Sequence, residues 1–304
     1  MIYTLTFSPS IDYLVFLRDE FEAGKMNRMV KDAIYYGGKG VNVSQVLMGL
    51  SVENTALGFI AGFTGKEIED GLKRAGMKTD FVHLRKGHSR INIKLKAKEE
   101  SEINAVSPEI DSEAAEGLYK KIGNIGREDI LVIAGTIPEN LPRNMVAYII
   151  EHLQSKETRL IVDTSGDALF SILPYRPFLI KPNLSELSEL FNEDFSPDDK
   201  EKLFLAARHL QDKGAKNVVI SLGADGAVFL TEEGMAYERK APKGIVVNSV
   251  GAGDSMVAGF IAGYLENRDY EDAFAMGIAA GSACAFVEGI PSGDEVRQLY
   301  RLIR

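Results

Sequence analysis

The sequence predicts an α/β protein whose mostly parallel sheet is covered by helices on both faces. Apolar strand-like runs alternate with helix-like segments, as in strand 129–135, helix 143–153 and strand 159–163. Such alternation is typical of parallel sheets in which each crossover is a helix. In addition, glycine turns and polar residues directly follow several predicted strands. Ligands bind beyond the carboxyl ends of the strands in open α/β sheets, so the sequence also predicts a site there.

The predicted elements are apolar runs bounded by Gly, Pro, Asn or Asp and, for helices, segments with 3.6-residue periodicity. The predicted strands of the main sheet are 2–7, 53–60, 80–84, 129–135, 159–163, 177–180 and 217–221, followed by a hairpin of 227–230 and 235–239 and a strand-like run at Gly244–Val247. The predicted helices are 43–50, 64–75, 111–122, 143–153, 166–172, 184–191, 198–212, 254–266, 270–287 and 292–303.

Four short segments with alternating polarity do not fit the main sheet. They are 11–17, 29–36, 89–97 and 102–106. We expect them to form a small β-sheet lid made from two insertions, at approximately 11–36 and 87–107, within a single domain that spans 1–304.

One face of the predicted strand 89–97 is polar and cationic, carrying Arg90, Asn92, Lys94 and Lys96. The default interpretation of such a face is a solvated surface, and the alternative is a wall that recognises an anion. Period-two alternation places the intervening apolar residues on the opposite face.

Composition excludes several classes of protein. The 304 residues carry a formal net charge of −9, which argues against a broad nucleic-acid surface because phosphate backbones require clustered cations. The single cysteine, Cys284, excludes an internal disulfide and is expected to be buried. The longest uncharged run, Ala273–Val287, is too short to span a bilayer. We therefore expect a cytoplasmic protein whose partners include neither nucleic acid nor membrane.

The segment Asn248–Met256 predicts a catalytic turn, because it joins a strand-like run to a long helical pattern through two glycines. The first turn of a helix offers unpaired N–H groups and the positive end of the helix dipole, which suit a phosphoryl group. The candidates for this anion hole are Gly251, Ala252, Gly253 and Asp254, with Asp254 also placed to act as a general base. The alternative is that Asp254 is an ordinary N-cap.

Two further motifs favour phosphate chemistry. The turn Gly37–Asn42 places glycines around Lys39 at a helix start, although it matches neither a Walker A loop nor a dinucleotide fingerprint. Asn183 and Glu186 lie one helical turn apart and offer oxygens suited to Mg²⁺ and its waters. Together the motifs indicate a phosphoryl-transfer site, which works mainly by positioning and charge neutralisation. A sensor or binding protein without catalysis is the rival, but it would need neither base nor metal ligands.

The chain resembles the phosphofructokinase-B (ribokinase-like) sugar kinases over nearly its whole length. Three motifs carry the resemblance: Gly37–Asn42, Lys181–Glu186 and Val250–Ser255. The resemblance implies a ribokinase-like three-layer α/β/α domain with a small β-sheet lid, ATP as co-substrate, Mg²⁺ as cofactor and a homodimer formed through the lid.

The resemblance also implies roles for individual residues. The substrate-binding residues would be Asp12, Lys25, Gly38, Lys39, Asn42, Arg90 and Asn92, of which Arg90 and Lys25 would hold the phosphate already on the sugar. The nucleotide-binding residues would be Lys181, Asn183, Ser221, Gly223 and Gly226. Asn183 and Glu186 would hold the metal, mainly through water.

Within the family, the chain is most similar to the bacterial 1-phosphofructokinases and tagatose-6-phosphate kinases. Segments Thr4–Thr6, Pro9–Asp12 and Ser89–Lys94 carry this finer match. No motif distinguishes the two ketohexose monophosphates, and fructose 1-phosphate is favoured because that activity is the more widespread one. Two residues depart from the pattern of the subgroup. Ser8 occupies the position of its usual Asn. Glu139 occupies a position where a cation is common, and Arg143 is the candidate to replace that cation.

Overall fold

The elements of the protein, seen in a computed structural model, follow the predicted order. The structure describes residues 1–138, 141, 145–154 and 157–304. The strands are β1 (Ile2–Thr6), β2 (Ser10–Leu17), β3 (Met29–Gly37), β4 (Asn54–Ala61), β5 (Lys78–Thr79), β6 (Val82–Leu84), β7 (Arg90–Lys96), β8 (Ser101–Ile103), β9 (Ile130–Ala134), β10 (Arg159–Asp163), β11 (Leu179–Ile180), β12 (Asn217–Ser221), β13 (Ala227–Leu230) and β14 (Ala236–Arg239). The helices are α1 (Lys39–Gly49), α2 (Gly62–Arg74), α3 (Ser112–Ile122), α4 (Met145–Gln154), α5 (Gly166–Ile172), α6 (Leu184–Phe191), α7 (Lys200–Asp212), α8 (Ala252–Asn267), α9 (Tyr270–Phe286) and α10 (Gly293–Ile303).

The central sheet confirms the predicted mostly parallel arrangement. Among the described residues, its strands lie in the order β14-β13-β12-β11-β10-β9-β1-β4-β5, and β6 pairs with the end of β4. All neighbours are parallel except β12, β13 and β14, which pair antiparallel at one edge. The carboxyl ends of β1, β9, β10, β11 and β12 therefore face the same side of the molecule, where the candidate site residues follow them.

The side chains of β9 show why the domain has three layers. Leu131 and Ile133 pack into one buried cluster together with Leu118 of α3. Val132 points the other way and packs into a second cluster that contains Phe260 of α8. Because successive side chains of a strand alternate between its faces, an uninterrupted apolar strand needs helices on both sides. The fold is thus the ribokinase-like α/β/α arrangement that the sequence predicts.

The four alternating segments form a separate small sheet, as predicted. Its order is β3-β2-β7-β8, in which β2 pairs parallel with β7 and the outer pairs are antiparallel. Two excursions from the central sheet supply these strands, one between β1 and α1 and the other between β6 and α3. The register places Asp12 beside Asn92 and Ser10 beside Arg90. One face of this sheet consequently carries these polar residues together.

The predicted strand at Gly244–Val247 is wrong. This segment has no regular secondary structure, and Ile245 is 84% exposed. Instead of joining the sheet, the chain crosses the carboxyl end of α9, where the N–H groups of Val247 and Asn248 donate to the Ala285 carbonyl. A run of β-branched residues favours extended backbone, but it forms a strand only where a partner edge is available.

No helix in the described part of the chain is long and apolar enough to cross a membrane. The longest uncharged run of the sequence belongs to α9, which is buried against α8 and α10. Cys284 lies in this helix as a buried free thiol, as predicted.

Candidate active site

A cavity of about 1300 Å³ lies between the carboxyl ends of the central strands and the small sheet. Its lining includes residues from the catalytic turn, the α1 turn and the small sheet, such as Asp254, Lys39 and Asp12. A single small-molecule site is typically 300–1,000 Å³. This cavity is therefore large enough to hold two small ligands side by side.

The catalytic turn has the geometry of an anion hole. Gly251 precedes α8 with a left-handed backbone (φ 82°), and the helix begins at Ala252. Only glycine adopts this conformation without a steric penalty. The N–H groups of Ala252, Gly253 and Asp254 thus occupy the first helical turn, where N–H groups lack an intrahelical partner. The Ala252 N–H donates instead to the Ser249 carbonyl at 3.3 Å, which leaves Gly253 and Asp254 as the donors of the anion hole. The Asp254 side chain does not cap the helix, so the alternative interpretation of Asp254 as an ordinary N-cap is wrong.

The Asp254 carboxyl group is buried, with 5% of the residue exposed, and it lines the cavity. Asn42 Nδ2 donates a hydrogen bond to Asp254 Oδ2 at 2.8 Å. Burial and then the Asp163 carboxylate raise the pKa of Asp254, while Asn42, Lys39 and Lys181 lower it, and the result is a pKa of about 6. A carboxylate with this pKa accepts a proton more readily than an ordinary Asp and is still mostly ionised at neutral pH.

Asp163 is a cavity residue that the sequence interpretation misses. It ends β10 and is 2% exposed. Its Oδ1 lies 3.2 Å from Lys181 Nζ and its Oδ2 lies 3.5 Å from Lys39 Nζ. Burial opposes ionisation of Asp163, but these two ammonium groups hold its pKa below the ordinary value. The signal was present, because Asp163 is the last residue of a predicted strand, at the edge of the sheet where the other site residues lie.

The α1 turn brings Lys39 and Asn42 to the same point. Gly38 is the N-cap of α1 with φ 109°, and a Cβ there would lie 2.6 Å from Thr6 Cγ2. Lys39 Nζ also lies 3.8 Å from Glu186 Oε1. The surrounding carboxylates raise the pKa of Lys39 although its burial opposes this. Lys39 therefore stays charged where it lines the cavity.

The polar face of the small sheet forms the opposite wall. Asn92 Nδ2 and Ser10 Oγ both donate to Asp12 Oδ1, at 2.8 and 2.9 Å. Arg90 donates to the Ser8 carbonyl at 2.9 Å, and burial lowers its pKa. Arg90, Asn92 and Lys94 all line the cavity. The default interpretation of this face as solvated surface is thus wrong, and it is the apolar face that is partly exposed.

Lys25 is the predicted site residue that the structure leaves outside the cavity. It lies in the turn between β2 and β3, where its exposed ammonium group pairs with Glu22. Lys94, which was not predicted as a site residue, lines the cavity and pairs with Glu102 at 2.5 Å. Of the two subgroup departures, Ser8 lines the cavity, whereas Glu139 and its substitute Arg143 lie outside the described residues.

The remaining predicted residues surround the other end of the cavity, which is lined by Lys181, Asn183, Glu186, Ser221, Gly223 and Gly226. Asn183 and Glu186 form a capping box at the start of α6, in which Asn183 Oδ1 accepts from the Glu186 N–H and Glu186 Oε2 accepts from the Asn183 N–H. Glu186 Oε1 is left to face Lys39. No group of three His, Cys, Asp or Glu residues within the described ranges is arranged to hold a metal ion.

The arrangement combines a base, N–H donors and cations within one cavity, opposite a wall of polar side chains that suits a polyol. Proton abstraction from a hydroxyl and stabilisation of a transferring phosphoryl group would occur at neighbouring points. This combination, at the strand ends of a ribokinase-like fold, defines the class of carbohydrate kinases.

Comparison with known proteins gives the family. Residues 5–294 match the model of the pfkB family of carbohydrate kinases. The chain belongs to this family, and the protein is a phosphotransferase with an alcohol group as acceptor.

Curated relatives match over nearly the whole chain. A 1-phosphofructokinase from Bacillus subtilis is 41% identical, with 98% of this chain and 97% of the relative covered. A 1-phosphofructokinase from Borreliella burgdorferi is 40% identical, covering 100% and 98% respectively. A D-tagatose-1-phosphate kinase from Bacillus licheniformis is 37% identical, covering 98% and 97%.

Solved structures show the same fold. Phosphofructokinase-2 from Escherichia coli, in complex with substrates and products, superposes with a TM-score of 0.92 at 30% identity, and the match covers 99% of each chain. A ribokinase from Arabidopsis thaliana, complexed with ribose and ATP, superposes with a TM-score of 0.80 at 20% identity, covering 99% of this chain and 98% of the ribokinase. The similarity to the ribokinase shows only that the two proteins share a fold.

Proposed function

We propose that the protein transfers the γ-phosphoryl group of ATP to fructose 1-phosphate, giving fructose 1,6-bisphosphate and ADP. The observation that carries this proposal is the shared cavity, in which Asp254 at the start of α8 faces the polar wall of the small sheet. The choice of sugar is supported by the two relatives named 1-phosphofructokinase, which are 41% and 40% identical over nearly the full chain.

In the proposed reaction, Asp254 accepts the proton of the sugar's free hydroxymethyl group. The hydroxyl oxygen then forms a bond to the γ-phosphorus, the bond to the β-phosphate oxygen breaks, and ADP leaves. The N–H groups of Gly253 and Asp254 stabilise the negative charge on the transferring group. A positioned base typically contributes about 10²- to 10⁴-fold to the rate.

The sugar phosphate is held by the opposite wall. Asp12, fixed by Ser10 and Asn92, accepts hydrogen bonds from sugar hydroxyls, and Arg90 binds the phosphate already on the sugar. The guanidinium group suits this role because it can donate two parallel hydrogen bonds to a phosphate. Gly38 and Asn42 border the same part of the cavity. Ser221, Gly223 and Gly226 surround the nucleotide, with Lys181 near its phosphates.

The residues present also fit Mg²⁺ as a cofactor. Asp163, Glu186 and Asp254 contribute three negative charges around the two positive charges of Lys39 and Lys181, which leaves a net charge of −1. Because the Asn183 oxygen caps α6, Glu186 Oε1 is the oxygen of this pair that would reach the ion, mainly through water. Mg²⁺ keeps most of its waters and binds to few protein carboxylates plus substrate phosphates. Its contribution would be neutralisation of charge on the ATP phosphates.

The test is an ADP-release assay that compares four phosphorylated sugars: fructose 1-phosphate, tagatose 1-phosphate, tagatose 6-phosphate and fructose 6-phosphate. We expect the highest kcat/KM for fructose 1-phosphate, with the other three lower by at least about tenfold. The second candidate is D-tagatose 1-phosphate, because one relative bears that name and the sugar differs from fructose 1-phosphate at a single hydroxyl. Preference for a 6-phosphate would overturn the proposal, and binding without turnover would favour the sensor.

We also propose that two copies pair through the outer face of the small sheet. Ile34, Ile91 and Ile103 lie on this face and are 54%, 41% and 64% exposed. The register places all three on the face opposite Asp12 and Asn92. An apolar patch on a sheet whose other face lines the substrate cavity is suited to burial against a second copy.

Light scattering of the purified protein tests the pairing. We expect a dimeric mass for the wild type and a monomeric mass for Ile91→Glu, because the introduced carboxylate would be buried in the interface. Leu302→Glu is the matched control, since Leu302 is also an exposed apolar residue but lies on α10. A monomeric wild type, or a dimer that Ile91→Glu leaves intact, would contradict the proposed interface.

A further inference from the structure

Asp163 is a buried carboxylate of the cavity that the proposed reaction uses so far only as part of the negative charge that suits Mg²⁺. It neither follows a glycine turn nor belongs to any of the three motifs. Its two oxygens each face a different ammonium group, Lys181 Nζ at 3.2 Å and Lys39 Nζ at 3.5 Å. The contacts are ion pairs, in which one carboxylate is shared between two cations.

The two lysines come from different parts of the fold. Lys39 is the first residue of α1, in the helical layer on one side of the sheet, and Lys181 follows β11. β10 and β11 pair in register, with Val162 opposite Ile180, so the next residues, Asp163 and Lys181, leave the sheet side by side. Asp163 consequently pairs with one lysine from the start of a helix and one lysine from the end of a strand.

This junction lies directly against the catalytic turn. Lys181 Nζ is 3.0 Å from the position that a Cβ at Gly253 would take. Lys39 is close enough to Asp254 for the carboxylate to raise the Lys39 pKa. The two ammonium groups therefore border the N–H groups that would receive the transferring phosphoryl group.

Without Asp163 the two lysines would not hold this arrangement. Two ammonium groups repel each other, and each lysine side chain has several rotatable bonds that cost conformational entropy to fix. A buried carboxylate is unfavourable unless it is paired. Asp163 and the lysines thus depend on one another, and a neutral residue at position 163 would remove the carboxylate that joins the two cations, although Lys39 would still face Glu186.

We propose that Asp163 is a positioning residue for phosphoryl transfer, which holds the ammonium groups of Lys39 and Lys181 beside the catalytic turn. The inference rests on the proposed kinase function and deepens it. Asp163 does not touch the reacting atoms. It acts through the two lysines, which stabilise charge on the transferring group, and such stabilisation depends on donors that are fixed in advance.

The negative charge of Asp163 has a second, measurable effect. The charged groups that act on Asp254 are Asp163 from β10, Lys39 from α1 and Lys181 after β11, together with the neutral donor Asn42. The Asp254 charge also raises the pKa of the Cys284 thiol on α9. Of these groups, Asp163 alone raises the Asp254 pKa by its charge, whereas Lys39 and Lys181 lower it. Loss of Asp163 and displacement of the two lysines therefore change that pKa in opposite directions.

The experiment compares Asp163→Asn with the wild type, using full-length protein and fructose 1-phosphate. We expect kcat to fall by about 100-fold, the loss typical of a catalytic group displaced by about 1 Å. KM for either substrate should change by less than about threefold, because the interaction matters mainly in the transition state. The acidic limb of the kcat/KM profile should move little, because loss of the Asp163 charge and displacement of the two lysines change the Asp254 pKa in opposite directions. A fall in kcat at a nearly unchanged KM is the result that a purely structural role would not produce.

A double-mutant cycle with Lys181→Met tests whether Asp163 acts through the lysine. Residues that act as a unit have non-additive effects, so Asp163→Asn should cost at least about tenfold less in the Lys181→Met background. Asp129→Asn is the matched control, because Asp129 pairs with the N-terminus at the opposite end of the neighbouring strand. This variant should retain the wild-type kcat.

Asp163→Glu keeps the test decisive if Asp163→Asn does not fold. It preserves the charge but moves it by one methylene, so we expect an unchanged acidic limb and a kcat lowered by about tenfold. A wild-type kcat in either variant, or additive costs in the cycle, would overturn the proposal. Failure of the proposed function is a separate result, since the wild type itself would then fail to phosphorylate the sugar.

Discussion

The two walls of the cavity are built in different ways. The wall formed by the catalytic turn lies at the strand ends of a sheet that is buried on both faces, and its charged groups Asp163 and Asp254 are buried as well. The opposite wall is one face of a four-stranded sheet whose other face carries exposed isoleucines. Its polar groups Arg90 and Lys94 are only half-buried.

The two walls therefore serve two different tasks, chemistry in the first and recognition of the substrate in the second. Chemistry requires groups held to within a fraction of an ångström, which a close-packed three-layer core provides. Recognition of one sugar phosphate among several depends on side chains that can be exchanged without disturbing that core. We therefore expect substitutions in the first wall to act on kcat and substitutions in the second wall to act on KM.

The largest effect should come from Asp254→Asn. We expect kcat to fall by at least about 100-fold, since the variant keeps the shape of the side chain but loses the base. Sugar-phosphate affinity, measured by calorimetry, should change little. Asp294→Asn is the matched control, because it removes an exposed Asp from the first turn of α10. Near-wild-type turnover of Asp254→Asn would exclude Asp254 as the base.

Arg90→Ala should have an intermediate effect, on binding of the sugar phosphate. We expect its KM to rise by roughly 10- to 100-fold, which corresponds to the loss of charge-assisted hydrogen bonds to phosphate. KM for ATP should stay within about twofold, because Arg90 belongs to the other wall. Arg85→Ala is a suitable control, since Arg85 is an exposed cation that follows β6 and pairs with Glu113. An unchanged sugar KM in Arg90→Ala would place the phosphate elsewhere, with Lys94 as the next candidate.

The smallest effect should be a shift of the pH profile. The base must be ionised, so kcat/KM should fall as the pH drops below the Asp254 pKa of about 6. Asn42→Ala removes the hydrogen bond that favours the ionised form of Asp254. The acidic limb should consequently move to higher pH, by less than about one unit. A shift to lower pH in this variant would contradict the assigned contact.

Much of the fold and of the first wall follows from local sequence patterns. The strands and helices are marked by periodicity and by turn residues, and Gly251 and Gly38 mark turns that only glycine adopts easily. The strand predicted at Gly244–Val247 is the main failure, because extended backbone becomes a strand only beside a free sheet edge. The cytoplasmic location of the protein and the extent of its single domain stay predictions.

The second wall and the charge network depend on long-range contacts. Period-two alternation showed that strand β7 has a polar and an apolar face, but not which of them lines the cavity. Lys25 lies in a turn of the small sheet, and Lys94 lies on one of its strands. Only the folded sheet shows that Lys94 reaches the cavity and that Lys25 does not. Similarly, Asp163 gains its partners only when β10 and β11 pair and α1 packs beside them.

By itself the sequence determined the α/β class, the glycine turn before α8 and the family of the protein, because these depend on residues that are neighbours in the chain. The tertiary structure decided which cations reach the cavity, that Asn183 and Glu186 cap each other's backbone, and that Asp163 joins Lys39 to Lys181. The physical reason is that an ion pair depends on distance in space. Residues far apart in sequence come within that distance only after the sheet and its helices have packed.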